Sequence, residues 1–354
     1  PEGAIGFLTG SIDDGVEGEF DTFRFDPNLL IEGTNTIAVE VHNRTVGSGD
    51  MVFDLSLSGS RPLTIDSTTT VRARSLDGTT WSALSEATFL AGVPATPENL
   101  VISKIHYHPD DGQGELSEYI ELMNLSNEDV NLAGVAFTQG ITFTFDEQTT
   151  LAPGQRAVLV ADVTAFEAAF GNSAIIIGTY TSRLANGGEQ LTMIAADGAL
   201  LHSVRFSDRN PWPGEPDGLG YSLTLVSPNS APNHSLPENW RTSLALGGSP
   251  GASDSIPFTG DPETDLFTYA LGDPSAIVLR TVEKNLVLEF PRILGADDVS
   301  LRIEVSSDLK NWQNGEATFL SQFARAGNRV VTQWALSPTL EDRKYVRVVV
   351  SLNH

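Results

Sequence analysis

Two apolar segments decide the fold of this chain: residues 99–109, NLVISKIHYHP, and residues 118–124, EYIELMN. Both are rich in β-branched and aromatic residues, and the glycine-containing loop DDGQG at 110–114 separates them. Short apolar runs on either side of a turn are typical of neighbouring strands. The two segments therefore predict two strands of a β-rich domain.

The pattern continues on the C-terminal side of these segments. Further strands are predicted at residues 130–137, 141–145, 157–161, 191–194 and 201–206. Asp162 is a suitable N-cap for a short helix that reaches Phe170, and Gly171 ends it. Asp197 and Gly198 predict a turn between the last two strands. Many short strands at regular spacing favour a β-sandwich of immunoglobulin type.

The composition agrees with an all-β chain of tandem β-sandwich domains. A length of 354 residues predicts two to four domains, and 40% apolar residues can supply a core for each. The 32 glycines and 19 prolines suit short strands and turns. The chain contains no cysteine, which excludes disulfide bonds and thiol chemistry.

The formal net charge of −25 bears on the partners of the protein. So acidic a surface repels nucleic acid phosphates and anionic membranes. No run of 18 apolar residues is present, so we also expect no membrane insertion. The first residues resemble the interior of a domain, and we expect the chain to be the C-terminal part of a larger protein.

Composition and turn signals predict four segments. Residues 1–61 and 62–96 are short β units, and the second ends in a linker that Pro94 and Pro97 stiffen. Residues 97–255 form the best-defined domain. Residues 256–354 form a C-terminal β-sandwich, with a helix from Asp265 to Gly272 followed by strands at 285–290, 301–306, 330–334 and 345–350.

The motifs of residues 97–255 carry a family resemblance. The domain closes with Trp212-Pro213, then Asp217-Gly218-Leu219-Gly220-Tyr221-Ser222-Leu223, and finally Ser249-Pro250-Gly251. The whole order of motifs resembles the bacterial lamin-tail domain of secreted proteins of the Verrucomicrobia and Planctomycetes type. The resemblance implies an Ig-like sandwich without known catalysis, found beside kinase-like spore-coat domains, nucleases, phosphoesterases and sugar-binding modules.

The other segments carry partial resemblances. The pattern from Leu30 through residues 37–41 to Leu55 resembles the last strands of galactose-binding-like jelly rolls. The pattern from Val71 to Ser82 resembles the end of a fibronectin-III-like domain. The pattern formed by residues 269–272, 305–312 and 345–347 is similar to the C-terminal sandwich of secreted proteins from Verrucomicrobia-like bacteria.

Acidic loops are the candidate metal sites. The oxygen ligands Asp110, Asp111, Gln113 and Glu115 lie on one glycine-containing loop, and such hard ligands suit calcium. Their spacing is not that of an EF-hand, and a solvated loop tip is the alternative. Similar alternatives hold for two further acidic clusters, Asp13–Glu19 and Asp261–Asp265.

Two histidines form a second candidate. His106 and His108 would share one face of a strand, and with Glu118 or Glu121 they could bind a transition metal. A structural role is the alternative that we favour, because Pro109 ends the strand directly after His108. We accordingly assign no catalytic residue, and the sequence contains no nucleophile elbow, phosphate loop or zinc-protease motif.

Tryptophans are the candidate ligand-binding residues. Trp81 and Trp212 are the two candidates, since an exposed ring could stack on a sugar, and Trp212 lies in a loop between two prolines. Packing of Trp212 against its own loop is the alternative.

These features predict a non-catalytic extracellular β-module array that serves in adhesion, spacing or ligand binding. Its partner would be a polysaccharide or a cell-surface protein. One alternative is the accessory or catalytic part of a secreted hydrolase, such as a carbohydrate-active enzyme. Another is a self-associating surface-layer component.

Overall fold

The computed structural model describes residues 69–353 apart from positions 78, 90, 264, 283–284 and 337–344, together with Thr36. The chain divides into two compact units, residues 1–64 and residues 65–354. The predicted jelly-roll segment 1–61 and the acidic loop Asp13–Glu19 lie outside the described residues. The predicted domain boundaries stay predictions.

Residues 69–89 form a small ribbon. Its strands are β1 (Thr69–Ala73), β2 (Leu76–Asp77), β3 (Thr80–Trp81) and β4 (Ser85–Phe89). β1 pairs antiparallel with β4, and β2 pairs antiparallel with β3. All of β4 is exposed, so this ribbon buries little apolar surface.

The central domain follows, and its helix is α1 (Val163–Phe170). Its strands are β5 (Val93–Pro94), β6 (Leu100–His106), β7 (Tyr119–Asn124), β8 (Val130–Asn131), β9 (Ala136–Gln139), β10 (Phe143–Thr144), β11 (Thr150–Leu151), β12 (Arg156–Val160), β13 (Ile175–Thr179), β14 (Gln190–Ile194), β15 (Leu200–Arg205), β16 (Leu223–Leu225) and β17 (Trp240–Thr242).

The central domain is an Ig-like β-sandwich, as the strand pattern predicts. One sheet has the order β13-β12-β7-β6-β16-β17. Two smaller sheets, β10-β9-β14-β15 and β11-β8-β5, complete the fold. One core cluster contains apolar side chains from all three sheets, among them Ile120, Met193 and Leu151. Burial of this shared core holds the layers together.

Helix α1 covers the outer face of the large sheet. Tyr119, Val158 and Val160 of the sheet form a second apolar cluster with Phe166 of the helix. The Asp162 side chain accepts a hydrogen bond from the Ala165 amide at 2.9 Å, and Gly171 ends the helix with φ = 75°. The predicted helix and both of its ends are confirmed.

The C-terminal domain is a second, smaller sandwich. It contains helix α2 (Leu266–Leu271) and strands β18 (Val278–Val282), β19 (Asn285–Ile293), β20 (Val299–Ser306), β21 (Gln313–Asn314), β22 (Ala317–Ala326), β23 (Arg329–Leu336) and β24 (Tyr345–Leu352). The sheet orders are β18-β19-β23-β22 and β21-β20-β24. Phe290, Ile303 and Leu271 belong to the core that the two sheets share with α2.

One predicted strand is wrong. Residues 130–137 form two strands, β8 and β9, which belong to different sheets. The chain turns between them, where the Val135 amide donates to the Leu132 carbonyl and Gly134 has φ = 73°. Because this backbone conformation favours glycine, the turn is encoded at Gly134 inside an otherwise continuous apolar pattern.

Candidate functional site

The most unusual residues of the central domain are charged side chains inside its large sheet. Lys104 on β6 lies opposite Glu121 on β7, and both side chains are fully buried. The Lys104 Nζ atom is 2.6 Å from Glu121 Oε1. A register shift between Ile102 and Lys104 inserts Ser103, whose hydroxyl also donates to Glu121 Oε1, at 2.7 Å. The bulge therefore directs two neighbouring side chains towards one carboxylate.

This carboxylate has further donors. Arg156 donates to Glu121 Oε1 at 2.8 Å, and the Gly251 amide donates to Oε2 at 2.7 Å. The Lys104 ammonium also donates to the carbonyls of Ala252, at 2.7 Å, and Ser249, at 3.3 Å. Burial lowers the pKa of Lys104, and the negative charge of Glu121 opposes that shift. Hydrogen bonds from Lys104 and to Glu121 therefore hold the turn at 249–252 against the middle of the sheet.

A second buried charge network joins the central domain to the C-terminal domain. Arg241 on β17 is 1% exposed and lies between the carboxylates of Asp254 and Asp297. Its Nε donates to Asp297 at 2.9 Å, and its two terminal nitrogens donate to Asp254 at 2.7 Å and Asp297 at 2.5 Å. They also donate to the carbonyls of Thr242 and Asp254.

All five N–H groups of the Arg241 guanidinium therefore have an acceptor. Burial alone would lower the pKa of Arg241, but the charges of Asp297 and Asp254 outweigh it and raise the pKa above its ordinary value. The two carboxylates therefore favour the charged form of this arginine. We call Arg241, Asp254 and Asp297 the junction triad.

Neutral contacts surround the junction triad. The Gln322 side chain donates to the Trp240 carbonyl at 2.9 Å, and the Ile256 amide donates to the Gly295 carbonyl at 2.8 Å. A cavity of about 20 Å³ lies between the triad and the Lys104 cluster, with Lys104 and Asp254 in its wall. That volume accommodates one water molecule. The space between the triad and the Lys104 cluster is therefore polar and too small for a substrate.

Part of the central domain is similar to a known family. Residues 94–208 match the family model described as Lamin Tail Domain. This match agrees with the Ig-like sandwich and covers the Lys104 and Glu121 pair. No curated protein and no solved structure matches the chain.

The central domain extends beyond the matched residues. Strands β16 and β17 lie after position 208, and they complete the large sheet next to β6. Arg241 and the turn at 249–252 belong to this extension. The charged network thus connects the matched part of the domain to the segments that follow it.

The predicted calcium ligands lie on the surface of the central domain. Asp110, Asp111, Gln113 and Glu115 are all exposed, and one oxygen of Asp111 accepts a hydrogen bond from the Gln113 amide at 2.8 Å. Within the described part of the chain, no group of three or more acidic or histidine side chains converges as a metal site would require. The calcium prediction for this loop remains untested.

The two histidines of the predicted metal set point to different partners. His106 is buried, and its Nδ1 lies 3.2 Å from the Tyr221 carbonyl. Burial lowers its pKa to about 4. His108 is partly exposed and lies 2.7 Å from Asp217. Since Glu121 is occupied by Lys104 and Arg156, a site with both histidines and this glutamate is not assembled.

The two candidate tryptophans differ in exposure. Trp212 is 5% exposed and packs in the core, with its ring centroid 6.3 Å from that of Trp240. A stacking role requires an exposed ring face, and Trp212 has none in this structure. Trp81 is 50% exposed, and the guanidinium of Arg74 lies 4.3 Å from its ring centroid. The ligand role of Trp81 remains a prediction.

The buried charges are the residues that sequence reasoning missed. For Lys104 and Glu121, the available signal was a charged residue inside an apolar strand. For Arg241, the signal was a charged residue next to a core tryptophan. Buried charges are rare unless they are paired. Their partners could not be identified from the sequence, because Asp297 lies 56 positions from Arg241.

The arrangement suits a structural role. The Glu121 carboxylate is saturated by donors, and Arg241 is saturated by acceptors, so neither group is free to transfer a proton or to bind a substrate. In the part of the chain that the structure describes, no helix is long and apolar enough to cross a membrane.

Proposed function

We propose that the chain is a non-catalytic β-module array that works as a rigid spacer at the cell exterior. The lamin tail domain and the C-terminal sandwich would form one stiff body that presents or separates neighbouring modules. The junction triad carries this proposal. Its buried charges prefer a single geometry, since any sliding of one domain against the other would break several charge-assisted hydrogen bonds.

The segment between the domains supports the same proposal. The Ile256 amide donates to Gly295, and the Phe258 amide donates to the Asp298 carboxylate at 2.7 Å. The segment after Asp254 is therefore held along the C-terminal domain and is not a free linker. An extracellular location and a polysaccharide or cell-surface partner are part of the proposal, and the acidic, cysteine-free composition is compatible with them.

The rigid joint is testable by distance measurement. The chain has no cysteine, so spin labels can be attached at two introduced ones, Glu128→Cys in the lamin tail domain and Glu316→Cys in the C-terminal domain. Both positions are exposed. We expect a single narrow distance distribution, and Asp297→Ala should broaden it. A distribution that is already broad in the unmutated background would refute the spacer role.

The absence of catalysis needs a separate test. Purified chain should give no turnover in a broad screen with ester, phosphoester and glycan substrates. A substrate that is cleaved at a rate proportional to the protein concentration would instead support the hydrolase alternative. Binding of labelled chain to insoluble polysaccharides, with Trp81→Ala as the comparison, would then test the proposed partner.

A further inference from the structure

Strand β18 is the outer strand of the four-stranded C-terminal sheet, and it is exposed along its whole length. It pairs with β19 from Val278 opposite Glu289 to Val282 opposite Asn285. All five residues are exposed, including Val278 at 37%, Leu279 at 48% and Val282 at 46%. None of the three belongs to the apolar cluster of this domain. The sheet therefore extends one strand beyond the core that it covers.

The other long edge strands of the two sandwiches are protected. Three of these strands, β13, β15 and β22, each pair with the neighbouring strand through at least one register shift. The regular edge strand β24 is mostly half-buried. Bulges and covering elements are known means of preventing one sheet edge from pairing with another.

β18 lacks these protective features. Its pairing with β19 has no register shift, and it contains no proline. Its single charged residue, Arg280, is 2.8 Å from Glu289 on the neighbouring strand. The charge that would repel another strand is therefore compensated. An apolar, regular edge of this kind is a template for strand addition.

We propose that β18 is a self-association surface, on which the β18 strand of a second copy pairs antiparallel to form one continuous eight-stranded sheet. The sequence of the strand, VLRTV, suits this partner. In a two-fold pair centred on Arg280, Val278 of one copy faces Val282 of the other. Apolar β-branched pairs of this kind stabilise neighbouring strands. An interface formed by the same surface of both copies is two-fold symmetric, so it leaves no free surface for a third copy and gives a dimer.

The two central arginines are compatible with this register. They would lie opposite each other, and the Glu289 carboxylate of each copy would offset part of the repulsion between the two arginines. The net charge of −25 per copy opposes association over a longer range. Added salt screens that repulsion. Dimerisation through β18 should therefore strengthen with salt, whereas an ion-pair interface would weaken.

The first test is the molar mass of the full chain by sedimentation velocity as a function of protein and sodium chloride concentration. We expect a reversible rise towards twice the monomer mass, with more dimer at higher salt. Leu279→Lys with Val282→Lys should leave a monomer. Ile175→Lys with Leu200→Lys is the matched control, since it adds the same charge at exposed apolar residues of β13 and β15. The control should still dimerise.

The second test fixes the register by disulfide formation. Opposed residues on antiparallel strands have Cα atoms about 4.5–5.5 Å apart, which a disulfide can span. Arg280→Cys should therefore cross-link to its own copy under mild oxidation. Val278→Cys should not do so, because four residues separate it from the opposed position and place its own copy about 13 Å away. A mixture of Val278→Cys and Val282→Cys chains should cross-link.

The outcomes that overturn the proposal are distinct. A chain that stays monomeric at the highest concentration and salt has no such surface. A dimer that survives the two lysines, or that is lost equally in the Ile175 and Leu200 control, uses another surface. Cross-linking of Arg280→Cys at the level of an Ile175→Cys control would mean random collision.

Discussion

Removal of Asp297 would test the junction triad. Asp297→Ala takes away the acceptors of the Arg241 Nε and of one terminal nitrogen, at 2.9 and 2.5 Å, and leaves the arginine buried with Asp254 alone. Asp254 still balances the charge of Arg241, but the buried guanidinium is left with donors that have no acceptor, and for a charged group this costs about 3 kcal/mol. We expect that loss in the free energy of unfolding.

Urea unfolding, followed by tryptophan fluorescence, would measure this loss. Trp240 precedes Arg241 and lies in the core, so its emission should report the junction directly. Glu316→Ala is the matched control: it removes the same charge from an exposed position, and it should change the stability by less than about 0.5 kcal/mol.

A triple variant separates charge from packing. Arg241→Met with Asp254→Asn and Asp297→Leu removes all three charges and fills the space with apolar atoms, while an amide oxygen at position 254 can still accept the hydrogen bond that the Leu244 amide donates at 2.8 Å. We expect this variant to be more stable than Asp297→Ala, since no buried charge of the triad is left without its partner. Equal stability of Asp297→Ala and the unmutated chain would refute the role given to the triad.

Three further predictions concern titration and metal binding. Burial raises the pKa of Glu118 to about 8 from 4.5, so the stability that its protonated form contributes is present below pH 4.5 and is lost as the pH rises to 8. In urea unfolding, Glu118→Gln should therefore be more stable than the unmutated chain by up to about 3 kcal/mol at pH 7. The two proteins should have similar stability at pH 4.5. Burial lowers the pKa of His234 to about 3 from 6.5, and its ring centroid lies 3.8 Å from that of His202. The free energy of unfolding should therefore fall by about 2 kcal/mol as the pH is lowered from 6.5 to 5. A free energy of unfolding that does not change over this range would contradict a neutral His234 in the folded protein. A calcium site on the Asp110–Glu115 loop would give a higher Tm in millimolar calcium than in sodium chloride of equal ionic strength. Asp110→Asn with Asp111→Asn should reduce this difference. Equal Tm values in the two salts would exclude a calcium site on this loop.

Local signals made much of the fold predictable. The two ends of α1 follow from Asp162 and Gly171, whose roles depend on neighbours within a few residues. The hairpin of β14 and β15 follows in the same way from the turn at Gly198. Such features need no knowledge of distant parts of the chain. They were therefore accessible from the sequence.

Features that depend on distant residues were not accessible. β13 is the parallel edge of the large sheet, and its place is set by β12 rather than by its own short apolar run. Trp212 lies between two prolines, a local pattern that suits an exposed loop, yet the ring belongs to the core. Lys104 has partners in the distant turn at 249–252 as well as on β7, and Arg241 has a partner in another domain. Tertiary packing decides burial in each of these places.

The saturated guanidinium of Arg241 has a consequence for how these domains can be exchanged between proteins. Three residues supply its acceptors: Thr242 and Asp254 belong to the central domain, and Asp297 belongs to the domain that follows. A chimera that keeps Arg241 but carries an unrelated downstream domain would retain Asp254 but leave the Nε donor of the buried guanidinium without an acceptor. Successful shuffling would therefore require either that both domains move as one cassette or that Arg241 changes together with the graft.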